Sequence, residues 1–125
     1  MIKFTIFGEA ASKANSRQKV TIKGKPAFIK SKKALSFAQS ALLQIPNWAK
    51  QMLDCDVCFE AHIFYASRRP DLDESLIIDI LQAKIVNGSV IRGGVYINDR
   101  QIKEKHVYWG LDKANPRVEI EVTLI

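Results

Sequence analysis

Alternating apolar and polar residues predict the strands of this chain, because a strand with one buried face has a period of two. The strands predicted in this way cover residues 2–6, 57–65, 102–109 and 117–124. Two shorter runs, 19–22 and 26–29, flank Lys23-Gly24-Lys25 and predict a hairpin. The segment before them, 9–18, is small, polar and basic, and predicts a loop.

Two stretches have apolar residues three and four apart, which predicts helices with one apolar side. The first covers residues 32–45, with Ser31 as its N-cap, and the second runs from Asp71 to about Lys84. Their apolar stripes are predicted to be Leu35, Ala38, Leu42 and Ile45 in the first helix and Leu72, Leu76, Ile80 and Ala83 in the second. The order of elements predicts one α+β domain over 1–125, in which two helices pack on a mixed β-sheet.

Positive charge is concentrated near the start of the chain. The formal net charge is +6, but residues 1–33 alone carry nine Lys and Arg against a single acid, Glu9. Such a segment suits a polyanionic ligand, because each phosphate that it neutralises releases condensed counterions. The alternative is a solvated surface with an excess of lysine. The side chains expected to contact nucleic-acid phosphates are Lys13, Arg17, Lys19 and Lys23.

Composition excludes several other classes of protein. No run of eighteen apolar residues is present, so we expect no membrane span. The opening apolar stretch is too short for a secretory signal, and two cysteines do not make a disulfide framework. These features predict a cytoplasmic protein. Cys55 and Cys58 have C-x-x-C spacing without a second Cys/His pair, which predicts a structural role rather than a zinc site.

Acidic residues follow the longest predicted strand. The block Arg68-Arg69-Pro70-Asp71-Leu72-Asp73 combines two arginines with two carboxylates, and Asp99 lies in a turn before another strand. Two or three converging carboxylates are enough to hold Mg²⁺, which prefers oxygen ligands and keeps several waters. Arg68 and Arg69 would then hold a phosphate through bidentate hydrogen bonds. Each of these residues also has a purely structural alternative. Asp71, with Glu74 three residues later, would be a helix N-cap, and Asp99 would be an ordinary turn residue. The two arginines would only neutralise the neighbouring acids.

Several short motifs follow one another along the chain. Gly8-Glu9 precedes the basic loop Lys13-Ala14-Asn15-Ser16-Arg17, and Arg69-Pro70-Asp71-Leu72-Asp73 lies at the start of the second predicted helix. Asn98-Asp99-Arg100-Gln101-Ile102 and Asn115-Pro116-Arg117-Val118-Glu119-Ile120 lead into the last two strands. In this order, over nearly the whole chain, they resemble the RusA family of Holliday-junction resolvases, which has Asp-x-Asp and later Asp-Asp-x-Gln-Ile at these places.

The resemblance implies a RusA-like homodimer that resolves four-way DNA junctions by paired symmetric cuts in recombination and repair. It implies that Asp71, Asp73 and Asp99 are the catalytic acids and bind Mg²⁺, with Mn²⁺ as an alternative ion and no organic cofactor. A two-fold dimer fits this activity, because each subunit supplies one of the two cuts. Asp79 is a candidate fourth ligand, and Lys103 joins the candidate DNA contacts.

The second predicted helix departs from the family. Glu74 follows Asp73 where the family has Asn, and the lysine that the family carries a few residues later is absent. Lys84 lies about 16 Å beyond Asp73 on a continuous helix, too far to share one phosphate. The basic residues expected to replace it are Arg69, Lys103 and Lys105. Without such a replacement we expect weakened catalysis.

Two further features leave a second function open. Asn98 stands where the family has the first of its paired acids, and the stretch 86–94 departs from the family pattern. That stretch is expected to face the junction or the partner subunit. Trp48 and Trp109 are expected in the core or at the dimer contact rather than stacked on a base. The alternative function is a non-cleaving protein of the same fold that binds branched nucleic acid.

Overall fold

The computed structural model describes residues 1–12 and 17–125. Its strands are β1 (Ile2–Phe7), β2 (Arg17–Ile22), β3 (Lys25–Lys30), β4 (Val57–Tyr65), β5 (Lys84–Val86), β6 (Ser89–Arg92), β7 (Ile102–Leu111) and β8 (Arg117–Leu124). Its helices are α1 (Lys32–Gln44) and α2 (Ser75–Leu81), with short 3₁₀ turns at Asn47–Ala49 and Asp99–Gln101. None of the helices in the described part of the chain has the length and apolar composition of a membrane span.

Four strands form a mixed sheet in the order β1-β8-β4-β7. β8 pairs antiparallel with β1 and β4, whereas β7 runs parallel to β4. Phe4, Ile120, Ala61 and Val107 are level with one another across the four strands. The hairpins β2–β3 and β5–β6 form separate two-stranded sheets. The predicted α+β class, with a mixed sheet and two helices, is confirmed.

The four-stranded sheet has one apolar and one polar face. Along β4, every second residue from Val57 to Tyr65 is fully buried, while the residues between them are only half-buried. The buried face forms one core with α1 and α2. Because strand side chains alternate between faces, the opposite face carries Cys58, Glu60 and His62, which remain accessible to solvent.

Helix α1 begins where the sequence predicts, and of its predicted apolar stripe Ile45 is buried and Ala38 and Leu42 are partly buried. Ser31 Oγ accepts a hydrogen bond from Ala34 N (3.1 Å), which confirms the predicted N-cap. Ala34 and Ala41 are fully buried beside Phe37, whereas Leu35, predicted to be buried, is 47% exposed. The prediction for Leu35 was wrong because it followed the large residues, while the small side chain of alanine allows the helix to lie close to its neighbours.

Helix α2 is half as long as predicted. It covers Ser75–Leu81, because residues 71–74 are not helical and Lys84 already belongs to β5. Its buried residues are Leu76, Ile77, Ile78, Ile80 and Leu81. A helix that is apolar on nearly every side belongs to the core. Lys84 is not on this helix, so the distance expected from a continuous helix does not apply.

Residues 84–92 form a β-hairpin rather than the end of a helix and a loop. β5 and β6 meet at Asn87 and Gly88, whose φ angles of 51° and 79° are those that a tight two-residue hairpin turn requires. The exposed apolar residues of the hairpin are Ile85, Val86, Val90 and Ile91. Its expected role toward a junction or a partner subunit stays a prediction.

Candidate metal and nucleic-acid site

The buried end of β4 fixes the loop that carries Asp71 and Asp73. The Tyr65 hydroxyl donates to the Asp71 carbonyl (3.2 Å) and accepts from the Asp73 N–H (3.4 Å). Burial raises the pKa of Tyr65, and the charge of Asp73 raises it further, so the hydroxyl keeps its proton. Trp109 Nε1 on β7 donates to the Pro70 carbonyl (3.1 Å). Both acids therefore lie in a loop whose backbone is held from two strands.

The two tryptophans lie at the border of the core. Trp109 is 37% exposed, and its ring centroid lies 6.2 Å from that of Tyr65. Trp48 is 57% exposed and packs edge-on against Phe4. The expected core position is therefore only partly correct, and a dimer contact stays a prediction for both residues.

Asp73, not Asp71, supports the first turn of α2. Asp73 Oδ1 accepts hydrogen bonds from Ser75 N (3.1 Å) and Ser75 Oγ (2.7 Å). Asp71 is exposed, and no hydrogen bond or ion pair engages its carboxylate among the described residues. The alternative that Asp71 is an N-cap is therefore wrong, because its position precedes the helix by too many residues to reach the free N–H groups.

Asp99 begins a capped 3₁₀ turn. Asn98 Oδ1 accepts from Arg100 N (2.9 Å), and Gln101 Oε1 accepts from Asn98 N (2.8 Å), which together form a capping box. Asp99 N donates to Gln82 Oε1 (2.9 Å). The Asp99 backbone is thus fixed on both sides, while its exposed carboxylate has no hydrogen-bond partner within the described ranges.

Gln101 ties this turn to a distant part of the chain. Its Nε2 donates to the carbonyls of Leu53 (2.6 Å) and Cys55 (2.8 Å). The glutamine of the motif therefore has a structural role. Asn98 keeps the turn intact where the family has Asp, since Asn and Asp serve almost equally as N-caps.

A groove between α2 and β7 connects the two motifs through Lys105. Lys105 Nζ of β7 lies 2.8 Å from Glu74 Oε1, next to Asp73 in sequence. Lys105 also lines a surface pocket of about 340 Å³ that includes Asp99. The full lining of that pocket is Ile78, Asp99, Ile102, Lys103, Glu104 and Lys105. Lys105 therefore links the loop of Asp71 and Asp73 to the turn of Asp99.

The three predicted metal ligands do not form one closed cluster. Of the described residues, only Cys58, Glu104 and His106 form a group of three His, Cys, Asp or Glu side chains whose ligand atoms all lie within 4.8 Å of one another. The carboxylate oxygens of Asp71, Asp73 and Asp99 match the chemical preference of Mg²⁺, but their spacing in this structure is wider than a shared ion requires. Their metal-binding role stays a prediction.

Asp79, the candidate fourth ligand, shares a buried neighbour with Asp99. Burial raises the pKa of the Tyr96 hydroxyl, and the charges of Asp99 and Asp79 raise it further. Asp79 is exposed on α2 and lines a second pocket of about 390 Å³ with Lys30, Lys84 and Arg92. Both carboxylates therefore influence the same buried group, while Asp79 faces a different pocket from Asp99.

The basic residues predicted to contact phosphate are exposed where the structure describes them. Arg68 and Arg69 form no ion pair with Asp71 or Asp73, so the described contacts do not support the alternative that they only neutralise these acids. Lys103 lines the pocket that includes Asp99.

Lys19 and Lys23 are exposed on the hairpin β2–β3. Lys13 and the side chain of Arg17 lie outside the described residues. Sequence reasoning missed one residue of this hairpin, Phe28, which is 69% exposed and pairs across the strands with Lys19. An aromatic residue among lysines on two adjacent short strands is the signal that could have identified it, because a two-stranded sheet cannot bury it.

Comparison with models of protein families and with curated proteins gives no match to this chain. The resemblance to RusA therefore depends on the ordered motifs. Two of these motifs have clear physical roles in the structure. The Asp71–Asp73 block is the loop held by Tyr65 and Trp109, and the Asn98–Ile102 block is the capped turn that leads into β7.

Proposed function

We propose that this chain is a RusA-like, Mg²⁺-dependent endonuclease that cuts four-way DNA junctions as a homodimer. The observation that carries the proposal is the groove between α2 and β7, where Lys105 forms an ion pair with Glu74, next to Asp73 in sequence, and lines the same pocket as Asp99. Lys103 and Lys105 lie in the same groove. Carboxylates that hold a divalent ion, next to cations that hold a phosphate, are the groups that phosphodiester hydrolysis requires.

The residues proposed to act on the phosphodiester have separable roles. When Mg²⁺ is bound, it supplies activation of a water molecule for attack on the phosphodiester. Asp71 and Asp99 would bind it through carboxylates that have no hydrogen bond or ion pair elsewhere in the described chain. Ser75 holds Asp73 by one carboxylate oxygen, which orients the other oxygen. Arg69, exposed in the same loop as Asp71, would contact the phosphate through its guanidinium group.

Lys105 is the best-placed replacement for the lysine that the family carries on its second helix. Its ammonium group lies beside Glu74, the residue after Asp73, and its side chain also lines the pocket of Asp99. The side chain of Lys105 is 46% exposed. Because exposed ion pairs contribute little to stability, the ammonium group can exchange Glu74 for a phosphate at small cost.

A non-cleaving protein that binds branched nucleic acid is the second candidate function. The observation that favours it is the wide spacing of the three aspartates, together with the Glu74–Lys105 ion pair between the two motifs. In such a protein the lysine-rich hairpin β2–β3 would supply the affinity, and the groove would carry no chemistry.

The proposal is tested with a labelled synthetic four-way junction and a matched linear duplex, each with Mg²⁺ and with EDTA. We expect paired symmetric cuts in the junction alone, and no cuts in EDTA. Asp71→Asn, Asp73→Asn and Asp99→Asn should each reduce the cutting rate at least about 100-fold. Binding of the junction should stay the same or tighten, because a negative charge next to phosphate is removed.

The control variant is Asp54→Asn, which removes an exposed acid outside the groove and should leave cutting unchanged. Asn at position 73 can still accept the hydrogen bonds from Ser75, so a loss of activity would not reflect a lost helix turn. Cutting by Asp73→Asn at the wild-type rate would refute the site. A junction that is bound but uncut with Mg²⁺ and with Mn²⁺ would establish the second candidate function instead.

A further inference from the structure

The outer face of the sheet carries a second cluster of metal-ligating side chains, which shares only Glu104 with the pocket of Asp99. Cys58 of β4 is opposite Glu104 of β7, and His106 is two residues further along the same strand and therefore on the same face. One thiol, one carboxylate and one imidazole have their ligand atoms within 4.8 Å of one another. We propose that Cys58, Glu104 and His106 form a Zn²⁺ site with three protein ligands.

An irregularity in strand pairing produces this arrangement. Val57 pairs with Ile102, but the next residue, Cys58, pairs with Glu104, so the register shifts by one residue at Lys103. Without that shift Cys58 would be opposite Lys103, whose ammonium group cannot bind a cation. A bulge of this kind re-aims side chains, and here it puts a carboxylate beside the thiol.

The surroundings of the thiol favour a cation. A carboxylate oxygen of Glu104 lies within 4.8 Å of the Cys58 sulfur, and Glu60 and Glu121, which pair across β4 and β8, are on the same face of the sheet. These carboxylates repel a thiolate, and a divalent ion bound among them removes that repulsion. On binding, the Cys58 S–H bond breaks, its proton goes to solvent, and the sulfur lone pair forms the bond to the ion.

The ligand set selects zinc rather than magnesium. Thiolate and imidazole are soft or borderline ligands that suit Zn²⁺, whereas Mg²⁺ requires oxygen ligands. His106 Nε2 already lies 2.7 Å from Glu104 Oε1, so both side chains point to the same place. The side chain of Glu104 is 58% exposed and that of His106 is 43% exposed, which leaves a path for the ion and a position for water as fourth ligand. The C-x-x-C pair is not the site, because Cys55 precedes β4 and is not in this group.

The experiment uses Co²⁺ as a spectroscopic probe on the full chain, kept reduced without added thiols. We expect one equivalent of Co²⁺ per chain to give a thiolate-to-metal charge-transfer band in the near ultraviolet, and Zn²⁺ to remove that band. Excess Mg²⁺ should not remove it. Cys58→Ser should abolish the band, and His106→Gln should weaken binding at least about tenfold.

Matched controls use the other cysteine and the other histidine. Cys55→Ser and His62→Gln should both retain the band at the wild-type midpoint. The proposal is overturned by a band that survives in Cys58→Ser, by a band that is lost in Cys55→Ser, or by wild-type protein that shows no saturable binding. Circular dichroism checks that each variant is folded. If Cys58→Ser does not fold, the affinity of His106→Gln for Co²⁺ decides between the two outcomes. Because the substituted residues Cys58 and His106 do not line the pocket of Asp99, and the readout is metal binding, this test is independent of nuclease activity.

Discussion

Glu9 joins three segments of the chain through its two carboxylate oxygens. Oε1 accepts a hydrogen bond from Lys33 Nζ on α1 (2.8 Å), and Oε2 accepts from Ala66 N just after β4 (2.6 Å). Partial burial alone would raise the pKa of Glu9, but the two hydrogen bonds and the charge of Lys33 outweigh it and lower that pKa below its ordinary value of 4.5. The ionised carboxylate is therefore the form that stabilises the folded state.

Replacing Glu9 with Gln should make the free energy of unfolding less dependent on pH in the acidic range. A carboxyl whose folded-state pKa is lowered stabilises the fold above its unfolded pKa and loses this contribution as the pH falls through the folded value. We expect Glu9→Gln to lower the free energy of unfolding by about 1–2 kcal/mol near neutral pH. The difference should shrink as the pH falls from about 6 toward about 2, in urea titrations followed by circular dichroism. Asp54→Asn, at an exposed acid, is the control; an equal loss of stability at every pH would contradict the argument.

Gly94 lies where one backbone segment passes close to another. Val95 N donates to Leu81 O (2.8 Å), and Ala83 N donates to Tyr96 O (2.9 Å), so the chain after Gly94 is bonded along the end of α2. A Cβ on Gly94 would collide with Ala83 N and would lie 2.6 Å from Leu81 O. Backbone atoms cannot move aside as a flexible side chain can, so only glycine fits here.

We expect Gly94→Ala to destabilise the protein by about 1–3 kcal/mol, through overpacking of the backbone. The adjacent Gly93→Ala is a matched control, since its Cβ would meet only the Lys50 side chain at 3.9 Å. That change should be neutral or slightly stabilising, because alanine restricts the unfolded chain. Thermal unfolding of both variants measures the difference. Equal melting temperatures for the two would show that the segment can move away from α2.

Local side-chain roles could be predicted from the sequence, but roles that depend on distant contacts could not. The Ser31 N-cap was predicted correctly, because a cap acts on the next three residues. By contrast, the bonds from Gln101 to Leu53 and Cys55 join residues 46 or more positions apart, which no local pattern indicates. The same limit explains why the cluster of Cys58 with Glu104 and His106 could not be found from the sequence.

The hairpin β2–β3 is the element most exposed to solvent near the start of the chain. Val20 and Ala27 are its only half-buried residues among Gln18–Lys30, and the others are exposed. Lys19 and Lys23 therefore lie on a ribbon that does not contribute much to the core. Such a ribbon can contact a nucleic-acid backbone without disturbing the fold.

Removing both lysines should weaken junction binding through electrostatics alone. We expect Lys19→Ala with Lys23→Ala to reduce affinity, and to reduce the slope of log Kd against log salt by about 1 for each phosphate that is no longer neutralised. A control double variant, Lys3→Ala with Lys113→Ala, removes the same charge from exposed positions outside the hairpin. Fluorescence anisotropy at several salt concentrations measures both. Equal effects of the two double variants would show that only net charge matters and that the hairpin does not contact DNA.

The bounds of α2 show why element ends are hard to predict. The pattern of Leu72, Leu76, Ile80 and Ala83 continued through residues that are not helical. Leu72 is partly buried and Ala83 is buried, yet both lie outside the helix. Leu72 is buried by the loop that Tyr65 holds, and Ala83 by the segment beside Gly94. The apolar spacing therefore predicted burial and the existence of the helix correctly, but placed both ends of the helix wrongly.

At the scale of the whole molecule, the order of strands in the sheet could not be read from alternation. Alternation predicts which face of a strand is buried, but not which strands are neighbours. β1 and β7 are the edges of the four-stranded sheet. At the end of β1, Gln44 Oε1 accepts a hydrogen bond from Phe7 N (2.7 Å), and Gln44 Nε2 donates one to Phe7 O (2.8 Å). The side-chain amide of Gln44 therefore covers part of that edge. The other edge, β7, borders the groove that includes Asp99.

The proposed dimer leads to a prediction about strand cutting. In the proposed dimer, each subunit would carry one groove and cut one strand, and two-fold symmetry would supply the second cut. Wild-type protein should sediment at twice the mass of one chain. A tagged mixed dimer of wild-type and Asp73→Asn subunits, purified through both tags, should make a single nick in each junction.

The single nick distinguishes two arrangements of the active sites. If each groove works alone, the mixed dimer nicks only the strand that faces its wild-type subunit, and wild-type dimers make paired cuts. If the two subunits share one site, the mixed dimer makes no cuts, because the Asp73→Asn side chain would lie in that shared site. A mixed dimer that still makes paired cuts would show that one groove can act on both strands in turn. If the wild-type protein instead sediments with the mass of one chain, symmetric cutting by a dimer has no basis.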